Sequence, residues 1–154
     1  MKKKLTILGS KVGIPQKPED AILETFENKH DKLYLVNLEC LEFTSLCPRT
    51  GQPDYATIEI NYVPDKLMIE SKALKLYLCS FRNVGSFHED VSNRIFDDLW
   101  NVMNPKFMRL IARFHSRGGI AIHPMVHRIQ ENLSDSFQEN TIKQYIKEWD
   151  AQKK

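Results

Sequence analysis

The hydrophobic positions of this chain switch period several times, and each switch marks an element. Tyr55 to Val63, YATIEINYV, alternates Ala56, Ile58, Ile60 and Tyr62 against Tyr55, Thr57, Glu59 and Asn61, the period of two expected of a strand. The stretch before it, Leu33 to Phe43, LYLVNLECLEF, is rich in β-formers and predicts a partner strand. After Pro64-Asp65 and a short apolar run, KLMIE, the spacing of Ala73, Leu74, Tyr77, Leu78 and Phe81 predicts a helix, with Ser71 as its expected cap. Val91, Ile95, Leu99 and Met103 then fall four apart. They predict a longer helix with Ser86 as cap, Glu89 and Asp90 at its positive start, and Asn104-Pro105 as its stop. Phe107 to His115 returns to alternation, Met108, Leu110, Ala112 and Phe114 against Arg109 and Arg113. The turn SRGG follows, then a β-type run from Ile120 to Ile129. Near the end, Ile142, Tyr145, Ile146 and Trp149 recur at helical spacing.

The predicted order is thus β, β, α, α, β, β and a final α, an α+β arrangement with one antiparallel sheet and helices on a single face. Residues 1–30 carry Lys, Pro, Gly and Glu without a sustained apolar period and read as an arm with at most a short helical turn. Residues 31–130 hold the folded domain, and 131–154 form a tail with a helix. A sheet this small has two open edges and an uncovered second face. Closing into a barrel with sister subunits resolves both, so a homo-oligomer is expected.

Composition narrows the class. The 154 residues, 42% hydrophobic and 27% charged, suit one ordinary globular domain. The basic start MKKK precedes an apolar run, Leu5 to Leu8, shorter than a signal core of roughly seven residues, which points to a cytoplasmic protein without a membrane association. Lys and Arg number 22 against 20 Asp and Glu, a balance that argues against a nucleic-acid binder and for a small ligand or a protein partner. Cys40, Cys47 and Cys79 are an odd set without paired spacing, as in a reduced compartment.

The chemistry concentrates in SLCPRTGQPDYATIEI. Pro48 and Thr50-Gly51 turn the chain directly after the first strand, so Cys47 is either one more small buried hydrophobe or an exposed, reactive thiol. Asp54 returns beside it at the head of the next strand. A carboxylate near a thiol disfavours the thiolate, so Asp54 suits proton delivery, or capping of the turn, rather than service as a base. His88 and Glu89 open the second helix, where a carboxylate can present two acceptors to the N–H and amine edge of a guanine-like base, or simply complement the helix dipole. Lys72, Lys75 and Arg117 with Gly118-Gly119 are candidates for phosphate contacts. His123 and His127, four apart on a strand, stand roughly 13 Å from each other, too far for one metal, and no metal site is expected. No dinucleotide GxGxxG or phosphate-binding P-loop is present.

Taken together, SLCPRTGQPDYA, ESKALKLY (Glu70 to Tyr77) and SFHED resemble, in this order, the blocks of the NADPH-dependent 7-cyano-7-deazaguanine reductases, the nitrile reductases of queuosine biosynthesis. The resemblance runs from about Tyr34 to about His127. It implies the tunnelling fold, in which subunits of the ββααββ kind close a barrel and build active sites at their borders. It also implies Cys47 as the nucleophile giving a covalent thioimide, and Asp54 as proton donor. His88 and Glu89 would hold the deazaguanine with Ile69, Glu70 and Ser71, while Ser71, Lys72, Arg117 and Gly118 would contact NADPH. Hydride reduction of the thioimide would give a thiohemiaminal, then a sequestered imine reduced by a second NADPH to the aminomethyl product. The rivals at this level are a zinc-dependent cyclohydrolase or pterin enzyme of the same fold, and a non-catalytic purine-binding oligomer.

Overall fold

A computed structural model of the chain describes residues 5–131, 133 and 136–152. The basic start, residues 1–4, and tail residues 132, 134–135 and 153–154 lie outside the described residues. Four strands, β2 (Val36–Leu46), β3 (Pro53–Val63), β5 (Phe107–Phe114) and β6 (Met125–Ile129), form an antiparallel sheet in the order β2-β3-β5-β6. Two short strands the alternation did not predict, β1 (Thr25–Glu27) in the arm and β4 (Leu67–Ile69) within KLMIE, pair as a separate ribbon. At three residues each they are too short to show a period. The arm also carries a 3-10 turn at Pro18–Asp20.

The even-numbered residues of β3 and β5, from Ala56 to Tyr62 and from Met108 to Phe114, form one apolar face. On it pack α1 (Ser71–Cys79) through Leu74, Tyr77 and Leu78, and α2 (His88–Met103) through Ile95, Phe96 and Leu99. In β2 the pairing slips between Cys40 and Phe43. This bulge re-phases the strand, so that Phe43 and Ser45 share the face of Ala56 and Asp54.

Both expected serine caps are displaced by one residue. The extended residue before α1 is Glu70, whose carboxylate accepts from the amides of Lys72 and Ala73 at 3.0 and 2.8 Å. Ser71 is already the first helical residue, and the longer side chain behind it reaches both free amides. Phe87, not Ser86, is the cap residue of α2 and bonds through no side chain, while Glu89 and Asp90 complement the helix dipole. At the far end Asn104 adopts the left-handed conformation, φ 44°, and its N–H reaches Trp100 O at 2.7 Å.

The expectation of helices on a single face is corrected by the tail. Helix α3 (Ser136–Ala151) lies on the opposite face, where Ile142 packs with Val63 and Phe107. The reason is a set of polar side chains on the odd-numbered positions that need cover and partners. Glu59, fully buried, accepts from Arg113 and from Trp149 Nε1, both at 2.6 Å, and Arg109 forks onto Asp150 at 2.8 and 2.9 Å.

Ile95→Ala is expected to lower the unfolding free energy by about 2–5 kcal/mol, and Asn104→Ala by about 1 kcal/mol through its left-handed backbone. Urea denaturation midpoints at constant m-value measure both.

Candidate active site

The turn after β2 is closed by Cys47 N–H to Gln52 O at 2.8 Å and Gly51 N–H to Cys47 O at 3.0 Å, with Gly51 at φ +69°, a conformation that side chains resist. A second strip of chain is laid along it. Leu46 N–H bonds Val84 O at 2.9 Å and Ser86 N–H bonds Leu46 O at 3.0 Å. A Cβ added at Gly85 would stand 3.2 Å from Pro48 Cα, so this close approach suits glycine. The consequence is that α2 begins against the cysteine turn.

Cys47 is partly exposed and its thiol is held down at about 6. The largest cause is a hydrogen bond from the Thr50 hydroxyl, followed by the amides of Arg49 and Thr50. Partial burial opposes them, and Arg117 adds the smallest contribution. Fixed donors thus outweigh the cost of partial burial, and the thiol is largely thiolate near neutral pH.

Asp54, at 4% exposure, receives two donors on the same oxygen. Arg117 pairs with Oδ1, and His88 Nε2 lies 3.2 Å from Oδ1. Arg117 also reaches Pro53 O at 3.3 Å and Gln52 O at 3.4 Å. The His88 ring lies flat on Phe114, centroids 3.8 Å apart and planes within 6°. With Oδ1 accepting from the N–H edges of both Arg117 and His88, Oδ2 is the freer of the two carboxylate oxygens. A polarised thiol and a buried carboxylate therefore meet in one place, a pairing of the kind that suits addition of a nucleophile to an unsaturated carbon.

A second group of candidates sits elsewhere. Ile69, 5% exposed, pairs with Thr25, and Glu70 and Ser71 begin α1. Nine helical residues, about 13 Å of axis, and a 3-10 turn separate them from the Gly85 strip. Lys72 Nζ is taken up by Ile7 O at 2.8 Å and Ser10 O at 2.5 Å, and Glu24 holds the amides of Thr6 and Ile7 at 2.7 and 3.1 Å. The arm thus straps the head of α1. Glu89 is exposed in the first turn of α2, and Gly118 and Gly119 both hold positive φ in an exposed turn.

The structure therefore brings Cys47, Asp54, His88 and Arg117 together and keeps Ile69, Glu70, Ser71 and Lys72 apart from them within one chain. It adds Thr50, Phe114 and Ser45, which the sequence reading did not single out. Phe114 reads as core by alternation, and Ser45 is revealed only by the bulge. Among the described residues no three His, Cys, Asp or Glu side chains gather so as to hold a metal ion, and no helix is long and apolar enough to cross a membrane.

The family described as QueF-like protein matches residues 53–133, from the head of β3 to beyond β6. A protein of Bacteroides thetaiotaomicron named NADPH-dependent 7-cyano-7-deazaguanine reductase is 53% identical over 125 residues, 80% of this chain and 83% of that protein. The chain belongs to this reductase family. Other members with the same name are similar over comparable lengths. One from Neisseria meningitidis serogroup B is 54% identical over 80% of each chain, and one from Bacillus cytotoxicus 53% over 79% of this chain and 75% of its own. The solved apo archaeosine synthase QueF-Like shares the fold at TM-score 0.57 and 18% identity, covering 60% of this chain and 91% of its own. For the reductase family's nicotinamide cofactor the donor chemistry fits: an ammonium at Lys72, a guanidinium at Arg117 and a bare glycine pair suit phosphate oxygens. Here Lys72 is bonded to arm carbonyls and Arg117 to Asp54.

Alkylation of Cys47 by iodoacetamide, followed by peptide mass, is expected to rise with pH through a midpoint near 6. Thr50→Val, which removes the largest stabiliser of the thiolate, moves that midpoint upward, toward the ordinary thiol range.

Proposed function

We propose that this chain reduces the nitrile of 7-cyano-7-deazaguanine to the aminomethyl group through a thioimide on Cys47, as a cytoplasmic step of queuosine formation for tRNA modification. The observation that carries the reading is the Cys47 thiol, held near 6 beside the buried Asp54 in a chain of this reductase family. The thiolate sulfur adds to the nitrile carbon, one π bond of the nitrile opens, and the nitrogen takes a proton from Asp54 Oδ2. NADPH supplies hydride, two equivalents per nitrile, and Ser71, Lys72, Arg117 and Gly118 would hold it. When the Arg117 guanidinium turns to a phosphate, His88 remains as the partner that orients Asp54.

His88 and Glu89 at the head of α2 would receive the base edge, with Ile69, Glu70 and Ser71 completing the pocket. Within one chain these two sets lie at opposite ends of α1. That separation supports a homo-oligomer in which one subunit's Cys47 group faces a neighbour's Glu70 group. The open edges β2 and β6 of the sheet, free for pairing with sister subunits into the closed barrel of a tunnelling fold, support the same reading. With a net charge of +2 and a compact binding chemistry, a nucleic-acid or membrane partner has no part in it.

Intact-mass measurement after mixing the protein with 7-cyano-7-deazaguanine, without NADPH, is expected to show an adduct of the substrate's mass that Cys47→Ala lacks. Folded, oligomeric protein without an adduct would overturn the nitrile chemistry. Glu89→Ala is expected to weaken substrate binding by about a hundredfold, read by calorimetry, since the base then loses a charged acceptor.

A further inference from the structure

Two buried polar atoms beside Asp54 have no hydrogen-bond partner, Ser45 Oγ and His88 Nδ1. Ser45 is fully buried. A hydroxyl in that position is costly unless it bonds. Its place is set by the pairing of β2 with β3, which puts Ser45 directly across from Asp54. Cross-strand neighbours on one face keep their Cβ atoms about 5 Å apart. The next residue, Leu46, accepts from Ser86 N–H, two residues before His88. Ser45 and His88 therefore flank one carboxylate, the first from the adjoining strand and the second from the head of α2.

The chemistry of the ring makes the pair complementary. Its face is taken by Phe114, which leaves the in-plane nitrogens to bond. Nε2 faces Asp54 Oδ1, an acceptor, and so carries the hydrogen. A neutral imidazole then has a bare acceptor at Nδ1, and the hydroxyl of Ser45 is an unspent donor on the neighbouring strand. The other groups around the ring are Asp54 from β3, Arg117 sharing Oδ1 from the turn after β5, and Cys47 from the turn after β2. Glu89 follows His88 on the exposed side of α2.

We infer that Ser45 is a positioning residue whose hydroxyl donates to His88 Nδ1 through one bridging water and locks the imidazole in the Nε2–H tautomer that bonds Asp54 Oδ1. Oδ2 is thereby kept as the oxygen that carries the proton outward. The inference rests on the proton-donor role proposed for Asp54, and it adds a residue that acts on that role through another.

The test uses the full-length oligomeric enzyme labelled with 15N in histidine, without ligand, and its Ser45→Ala variant, with His88 signals assigned by their loss in His88→Asn. In the unaltered enzyme Nε2 is protonated and Nδ1 shows the resonance of a hydrogen-bonded acceptor. In Ser45→Ala the Nδ1 signal moves to that of a free acceptor or splits between tautomers. Adduct formation at Cys47 then slows about tenfold at unchanged substrate affinity, part of what a well-placed proton donor contributes. Unchanged His88 nitrogens in Ser45→Ala overturn the inference, whatever the adduct rate. A changed tautomer with an unchanged adduct rate overturns the positioning role. Absence of any adduct in the unaltered enzyme counts against the nitrile reading instead, because the nitrogen signals judge Ser45 without substrate.

Discussion

A carboxylate withdrawn from water must be held by donors, and at the mouth of the β2-β3 hairpin that carboxylate is Asp54. Meeting that demand organises everything around it. The β5–β6 turn is bent back so that Arg117 reaches the carboxylate, and the head of α2 is set down on Phe114 so that His88 reaches the same oxygen. The strip from Val84 to Ser86 that brings α2 there also clamps the cysteine turn. The thiol owes its acidity to that turn's own Thr50 hydroxyl and amides more than to Arg117. Cys47 and Asp54 are thus prepared by separate means and brought together by the backbone.

The same economy governs the other end of α1. Glu70 spends its two oxygens on the free amides of its own helix, and Lys72 spends its ammonium on the carbonyls of the arm. Ile7 is buried against Ala73 and Leu76, so the strap is held by apolar contact as well as by hydrogen bonds. Both groups are exchangeable in chemical terms: a carbonyl is a weaker partner for an ammonium than a phosphate is.

The second face of the sheet shows how a polar surface becomes an interior. Glu59 sits between Arg113, Arg109 and Trp149, and Arg109 is shared among Asn61, Glu59 and Asp150. Such a network is tolerable only because its members are mutually bonded, and α3 supplies two of them. The tail helix is in this sense a lid on charge rather than on oil, with Ile142 and Ile146 sealing its border near Val63 and Phe107.

Much of this was determined by the sequence alone. The alternation from Tyr55 to Val63 and from Phe107 to Phe114, the fourfold spacing from Val91 to Met103, and three ordered blocks carry the strands, the long helix and the family, because periodicity and motif are local properties. Only the tertiary structure decided the rest. Glu59 and Arg109 read as a solvent face until α3 covers them, and β1 and β4 exist only by pairing residues 40 to 44 positions apart in the chain. Ser45 turns toward Asp54 because a bulge re-phases β2, and Glu70 caps α1 because its backbone, one residue before the serine, is the last to be extended. Burial, register and capping depend on what lies across space, and no pattern along the chain contains that information.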